Sequence, residues 1–287
     1  MKKILVTGAK GMLGRDLCPL LKENGFLVIE TDAHNMDITN FNQSEYVIKY
    51  YRPDFVIHCA AYTNVDKAET DSKMAFAINE AGTKNIAKIC AEFDIPIIYI
   101  STDYVFKGDA SKPYLPTDQR DPVGVYSESK AKGEEAIEKY CKSHYIARTS
   151  WLYGIHGKNF VETMIELSQK MPELKVVNDQ IGCPTWTMEL ARGILSLIQN
   201  EKSYGLYHIC GGGQTSWYEF AKEALRLSGI TAQIKPCSTE EFPRPAKRPA
   251  YSVMDNAGIC RDWREALKDY IELRKKSKEE NLVKNTK

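Results

Sequence analysis

A tyrosine and a lysine four residues apart, Tyr126 and Lys130 in the run Tyr-Ser-Glu-Ser-Lys, carry the sharpest chemical signal in the chain. On a helix that spacing puts phenol and ammonium on one face. A cation beside a phenol favours the phenolate and draws its pKa from about 10 towards neutrality. A phenol so tuned can give a proton to an alkoxide forming at a carbonyl under reduction. Thr102, directly after the apolar run Ile97 to Ser101, offers a hydroxyl to the same carbonyl oxygen. Reduction needs a hydride donor, and Gly8-Ala9-Lys10-Gly11-Met12-Leu13-Gly14 is spaced to hold one. Glycines spaced GxxGxxG let the backbone approach a pyrophosphate and aim amide N–H groups at it, and the last permits close helix–sheet packing. Asp32, ending the second apolar run, can accept hydrogen bonds from the adenosine ribose of NAD. The residues after it, Ala33 and His34, bring no cation for a 2'-phosphate, so NADH is the preferred donor with NADPH left open. Asp37-Ile38 can reach the adenine edge, although Asp37 would serve equally as a turn or cap residue.

These residues need a scaffold that gathers strand ends and helix starts. Ile4 to Thr7 is a short β-branched run ending at Gly8, and Met12 to Glu23 follows with helical spacing. Strand, glycine turn and helix open a parallel α/β sheet. The alternation repeats: strand Leu27 to Thr31, helix Gln43 to Tyr51, strand Phe55 to Cys59, helix Ser72 to Phe93, strand Ile97 to Ser101. A helix over Val125 to Lys142, a strand over Tyr145 to Trp151 and a helix over Phe160 to Gln169 come next. Strands this apolar belong in a sheet covered on both faces. The fold class is therefore α/β, a Rossmann-type doubly wound parallel sheet, with a smaller C-terminal α/β substrate-binding region. The expected division is residues 1–151 for the dinucleotide-binding domain, completed by parts of 152–210, and 152–287 mainly for the substrate.

Past residue 151 the rhythm loosens. Thr187 to Leu197 and Trp217 to Ser228 read as helices, Tyr204 to Cys210 as a strand, and Trp263 to Lys275 as a closing helix before a charged tail, Lys276 to Lys287, expected to fray. Pro236 to Arg248, with three prolines, reads as a loop packed over something. Its cations Arg244, Lys247 and Arg248 could hold a diphosphate, since a guanidinium pairs phosphate oxygens in a fixed fork.

Composition narrows the class. The 287 residues are 43% hydrophobic and 27% charged, as in ordinary globular proteins. A formal net charge of +1 argues against a dedicated nucleic-acid binder. The eight cysteines have no close pair and no CxxC, which fits reduced core thiols of a cytoplasmic protein. The basic start Met1-Lys2-Lys3 is followed by no long apolar segment, so neither a signal peptide nor a membrane span is expected. The five histidines show no metal spacing such as HExxH; His58 and His208 sit in apolar strands and read as packing residues.

Across nearly its whole length the chain resembles the dTDP-4-dehydrorhamnose reductase family of the extended short-chain dehydrogenase/reductases. The resemblance rests on Thr7-Gly8 through Gly14, on His58-Cys59-Ala60-Ala61-Tyr62-Thr63-Asn64-Val65-Asp66-Lys67-Ala68-Glu69, and on Ser101-Thr102-Asp103-Tyr104-Val105-Phe106. Val125-Tyr126 with Lys130, Arg148 through Tyr153, Asp179 through Thr185 and Thr215-Ser216-Trp217 extend it. It implies reduction of a C4 keto group on a dTDP-sugar by NAD(P)H. Tyr126 would be the proton donor, Lys130 would hold the nicotinamide ribose, and Thr102 would replace the usual catalytic serine. Gly11, Met12 and Leu13 would line the pyrophosphate, Asp32 the ribose, Asp37 and Ile38 the adenine, and Ala60, Ala61, Tyr62 and Thr63 would follow the cofactor. Thr102, Asp103 and Trp151 would face the sugar with Val65 nearby, and Arg248 would anchor the diphosphate. Arg248-Pro249-Ala250-Tyr251-Ser252 resembles the family's RPxNS block, with Tyr251 where Asn is commoner. Magnesium and a homodimer stay open, and no metal site is assigned.

Two other readings share these motifs. A nucleotide-sugar epimerase or dehydratase would keep the glycine loop and the Tyr-Lys pair, but related dehydratases carry an acidic pair after the threonine, where this chain has Asp103-Tyr104. A non-catalytic dinucleotide-binding module would have no need of Thr102, Tyr126 and Lys130 together.

Overall fold

The computed structural model describes residues 1–285, with side chains through residue 277. In the first half the chain runs β1 (Lys3–Thr7), α1 (Met12–Glu23), β2 (Leu27–Glu30), α2 (Phe41–Tyr51) and β3 (Phe55–His58). It continues through α3 (Val65–Ala68), α4 (Ser72–Phe76), a π-helical turn (Ala77–Gly82), α5 (Thr83–Glu92), β4 (Ile97–Thr102), α6 (Val125–Tyr140) and β5 (His144–Thr149). The second half gives β6 (Leu152–Tyr153), α7 (Phe160–Ser168), β7 (Glu173–Val177), β8 (Ile181–Gly182), β9 (Thr185–Trp186) and α8 (Thr187–Gln199). Then follow β10 (Gly205–His208), β11 (Thr215–Ser216), α9 (Trp217–Leu227), β12 (Gln233–Cys237) and α10 (Trp263–Asn285).

Six strands form one parallel sheet in the order β10-β5-β4-β3-β1-β2. The order reverses direction between β1 and β3, and ligands of open α/β sheets bind beyond the carboxyl strand ends at such a switch. One face buries Ile4, Val6 and Ile57 against Leu13 and Leu17 of α1 and Leu190 and Ile194 of α8. The other buries Leu5, Val56 and Ile97 against Ile48 of α2, Ile86 of α5 and Ile137 of α6. Residues 187–208 thus supply both a covering helix and the edge strand of the sheet.

The second region has its own core, in which Tyr153, Trp186, Phe220, Trp263 and Tyr270 pack with Val161 and Leu174. Its helices start on side-chain caps: Asn159 accepts the Glu162 N–H and Ser216 the Glu219 N–H. Three segments depart from the periodicity reading. The stretch read as one helix from Ser72 to Phe93 is interrupted by the π turn. Pro236 and Cys237 lie in β12, paired in parallel with β7, so the proline-rich loop begins at Ser238. The closing helix continues past Lys275 to Asn285, taking in residues expected to fray, while Thr286 and Lys287 lie outside the described residues.

Candidate active site

A cleft of about 670 Å³ opens at the carboxyl end of the sheet, lined on one side by Gly8, Gly11, Met12, Leu13 and Gly14. Gly8, at φ +64°, adopts a backbone conformation that side chains avoid, and a Cβ there would stand 2.8 Å from the Ala60 nitrogen. At Gly14 a Cβ would come within 2.4 Å of the Ala9 carbonyl oxygen. The turn therefore requires glycine at both positions. Gly11 caps α1 without a side chain, leaving the positive helix end available to an anion. A loop this close to β3, with a bare helix start, fits a dinucleotide pyrophosphate.

Asp32, Asp37 and Ile38 line the same cleft. Asp32 accepts the His34 N–H at 2.8 Å and forms an ion pair with Lys10. The Lys10 ammonium, aided by that N–H, holds the Asp32 carboxyl below the usual carboxylate range. A cation therefore does stand beside Asp32, brought from within the glycine motif rather than from the residues after β2. Asp37 accepts both the N–H and the hydroxyl of Thr39, at 2.9 and 2.8 Å, so it serves the turn as well as the cleft.

Ala60, Ala61 and Thr63 follow β3 along the cleft, but Tyr62 does not line it. The Tyr62 N–H donates to Asn79 Oδ1 at 2.8 Å, and its hydroxyl faces Asp71 at 3.4 Å. Asn79 lies within the π turn, fully buried, and donates to the Tyr62 carbonyl and to Ser129 Oγ, each at 3.0 Å. Ser129 in turn donates to the Tyr126 carbonyl at 2.8 Å. This chain of contacts ties the cofactor side to the first turn of α6. These contacts join residues 17 and 50 positions apart, which apolar spacing along one helix does not report.

Thr102, Asp103, Tyr126 and Lys130 meet in the cleft. The Lys130 ammonium donates to the Ile100 carbonyl at 2.7 Å and lies 4.0 Å from the Tyr99 ring centroid. Burial draws Lys130 down to about 7, against the opposing charge of Glu134. The expected lowering of the Tyr126 pKa does not occur in this arrangement. Burial pushes the phenol up to about 12, with the Thr102 hydroxyl pulling it down and the Asp103 charge raising it further. The i,i+4 spacing is present, but burial is the largest influence on the phenol and sets the direction of its shift.

Val65 and Trp151 complete the cleft. Trp151 leaves β5 at φ +46°, a strained conformation for so large a residue. Its indole stacks on Trp217 with ring centroids 3.5 Å apart and planes 5° from parallel. Gly182 admits it: a Cβ there would come within 2.5 Å of the ring. Trp217 is legible in sequence as a helix start and as part of a block, but its partnership with Trp151 cannot be read across 66 residues. Lys158, at the cleft mouth, was also missed.

Arg248 does not line this cleft. It pairs with Asp66 at 2.8 Å, donates to the Ala246 carbonyl at 3.0 Å, and borders a small adjoining pocket with Tyr104 and Ser127. Tyr251 uses its backbone N–H on the Gly108 carbonyl, 2.9 Å away, and its hydroxyl on Gln214, 3.2 Å away.

Among the described residues no group of three or more His, Cys, Asp or Glu side chains converges to hold a metal ion. His58 is fully buried between Thr7, at 2.7 Å, and Thr83, at 3.1 Å, and burial lowers its pKa to about 3. No helix among the described residues is long and apolar enough to cross a membrane.

The sequence and fold of the chain are similar to those of known proteins. The chain is similar to the spore coat polysaccharide biosynthesis protein SpsK of Bacillus subtilis (strain 168), 42% identical over 280 residues that cover 96% of this chain and 98% of the relative. A crystal structure of a dTDP-4-dehydrorhamnose reductase from Clostridium acetobutylicum matches with a TM-score of 0.92 at 46% identity, covering 94% of this chain and 99% of that one. That of a dTDP-4-dehydrorhamnose reductase from Bacillus anthracis in complex with NADP matches at 0.91 and 39% identity, with the same coverages of 94% and 99%. The RmlD substrate binding domain model matches residues 1–275, and with the cleft and its Tyr-Lys pair in place, the chain belongs to that family.

Proposed function

We propose that this protein is an oxidoreductase that reduces the C4 keto group of dTDP-4-dehydro-β-L-rhamnose to dTDP-β-L-rhamnose with NAD(P)H, in dTDP-rhamnose synthesis. One observation carries the reading: the glycine loop, Asp32, Thr102, Tyr126, Lys130 and Trp151 share a single cleft. Similarity to two structures named for this reductase, one holding NADP, supports it.

When bound, the reduced nicotinamide supplies the hydride. The chain's own residues position the carbonyl and deliver the proton. Tyr126, raised to about 12, is fully protonated at neutral pH and therefore always holds a proton to give. An alkoxide is far more basic than a phenolate, so transfer to the sugar oxygen is downhill even from a weakly acidic phenol. As the phenolate forms, the ammonium form of Lys130 gains an anion on its own helix face. Thr102 donates its hydroxyl to the same sugar oxygen. Asp103 and Trp151 face the sugar and Val65 flanks it, while Arg248, outside the cleft and paired with Asp66, reaches the diphosphate from the adjoining pocket.

NADH is the preferred donor in this reading, because a free ribose suits the Asp32 carboxylate. Lys10 offsets part of the repulsion that a 2'-phosphate would meet there, which keeps the discrimination small. The cytoplasm is the proposed location, on cysteines that are all free and, apart from half-buried Cys59, buried. Sedimentation of the purified protein tests the homodimer that the family resemblance leaves open.

The experiment is NADH and NADPH oxidation against a panel of dTDP- and GDP-4-keto sugars, with the product identified by NMR. Oxidation with the dTDP-4-keto-6-deoxy sugar and formation of the rhamno product are expected. Oxidation with no dTDP-sugar, or epimerisation or dehydration without net oxidation, would overturn the reading.

A further inference from the structure

Thr102 has a single hydroxyl proton, and where it points decides what Thr102 can do for a carbonyl. A hydroxyl donates once and accepts twice. Here Oγ1 accepts the Tyr104 N–H at 3.2 Å and donates to Asp103 Oδ1 at 3.0 Å. With its proton on the carboxylate, Thr102 presents only lone pairs to the cleft, and a carbonyl oxygen cannot bond to those. The role expected of Thr102 in the reduction is thus blocked while Asp103 is ionised.

Asp103 is built to change state. It is 1% exposed, and its second oxygen, Oδ2, makes no full hydrogen bond although the buried Ser252 hydroxyl, itself without a full partner, stands beside it. Burial pushes the carboxyl up to about 6, while the Ser252 and Thr102 hydroxyls and the N–H groups of residues 103 and 104 pull the other way. The ionisable groups that face it are Tyr104, Tyr126 on α6 and Cys210 beyond β10. Burial raises the pKa of both phenols, and contact with Cys183 together with burial raises that of the thiol, so all three are neutral near pH 7.

From this geometry we propose that Asp103 is a positioning residue for Thr102. Protonated, it donates to Thr102 Oγ1, which then accepts twice and turns its own proton towards the reacting carbonyl; ionised, it takes that proton away. The proposal rests on the reductase reading, since it needs a carbonyl in the cleft. Its sign is fixed: the competent state is the protonated one, present below the Asp103 pKa and lost as pH rises through it.

The test is the pH profile of kcat for the wild type and Asp103→Asn, whose amide donates an N–H to Thr102 at every pH. The wild type should lose about tenfold in kcat per pH unit above the Asp103 titration, and D103N should lack that descending limb. Thr102→Val should flatten the profile in either background, because there is no hydroxyl left to orient. In the unliganded protein, difference infrared spectra should show a carboxylic acid band that titrates near pH 6, is absent from D103N, and shifts its midpoint in T102V. A D103N profile overlaying the wild type, D103N inactive at every pH with native Tm and NADH affinity, or a carboxyl band unmoved by T102V would overturn the proposal. Absence of wild-type turnover with every sugar would instead strike the reductase reading, and the infrared titration would still judge the Asp103–Thr102 coupling.

Discussion

The two sides of the cleft are held by different means. On the dinucleotide side, backbone ladders set the positions: Thr102 ends β4 in register with Thr149 of β5, and Thr7, just before Gly8, is in register with His58 of β3. On the substrate side, side-chain contacts do the holding. Trp151 has left its strand at positive φ and rests on Trp217, the local strands β6, β8, β9 and β11 have two residues each, and Arg248 is fixed by its pair with Asp66. A ladder is indifferent to most side chains, so the reacting groups sit on a frame that tolerates sequence change. A site assembled from stacked rings and ion pairs changes with single substitutions, which suits the part that selects a substrate.

The largest expected effect tests the ladder side. Tyr126→Phe removes the proton donor and should lower kcat by about 100- to 10,000-fold while NADH binding stays near normal. Stopped-flow turnover with a parallel NADH titration measures both, and near-normal turnover would refute the assignment.

A middle-sized effect is expected on the substrate side. Arg248→Ala should weaken binding of the dTDP-sugar by about 1 to 3 kcal/mol, seen as a raised KM, if the lost hydrogen bond is charge-assisted. Its existing pair with Asp66 places the value towards the lower end, since a diphosphate must share or replace that partner. Calorimetric titration with both ligands checks this. Unchanged sugar affinity would remove Arg248 from the site, and an equal loss for NADH would erase the distinction between the two sides.

The smallest effect concerns cofactor choice. Lys10→Ala should weaken NADPH relative to NADH by about two- to fivefold, as fits an exposed cation facing a phosphate. An unchanged ratio would show that Lys10 acts on Asp32 alone.

The same contrast governs how much could be read from the chain. Alternating apolar runs and the glycine spacing made the first five strands of the sheet and the start of α1 legible, because backbone ladders impose a period. Lys10 was overlooked because the motif treats its position as variable; only the return of β2 beside β1 brings it to Asp32. The Tyr126 pKa was read with the wrong sign, since i,i+4 spacing reports proximity along a helix and says nothing of how deeply the phenol is buried. β7 and β12 escaped notice because their exposed positions are polar and one carries Pro236. Arg248 and Asp66 stand 182 residues apart in sequence, a distance over which spacing carries no information.

Everything proposed for this cleft depends on its reducing a C4 keto sugar with Tyr126 as the proton donor. Single-turnover mixing of the NADH-loaded protein with the dTDP-4-keto-6-deoxy sugar, monitored by loss of reduced-nicotinamide absorbance and by NMR of the product, tests it most directly. One equivalent of NADH should be consumed per C4 alcohol formed in the wild type, and the rate should be lower by at least about 100-fold in Y126F. Consumption of NADH at the same rate in both proteins, or no C4 alcohol from the wild type, would contradict it.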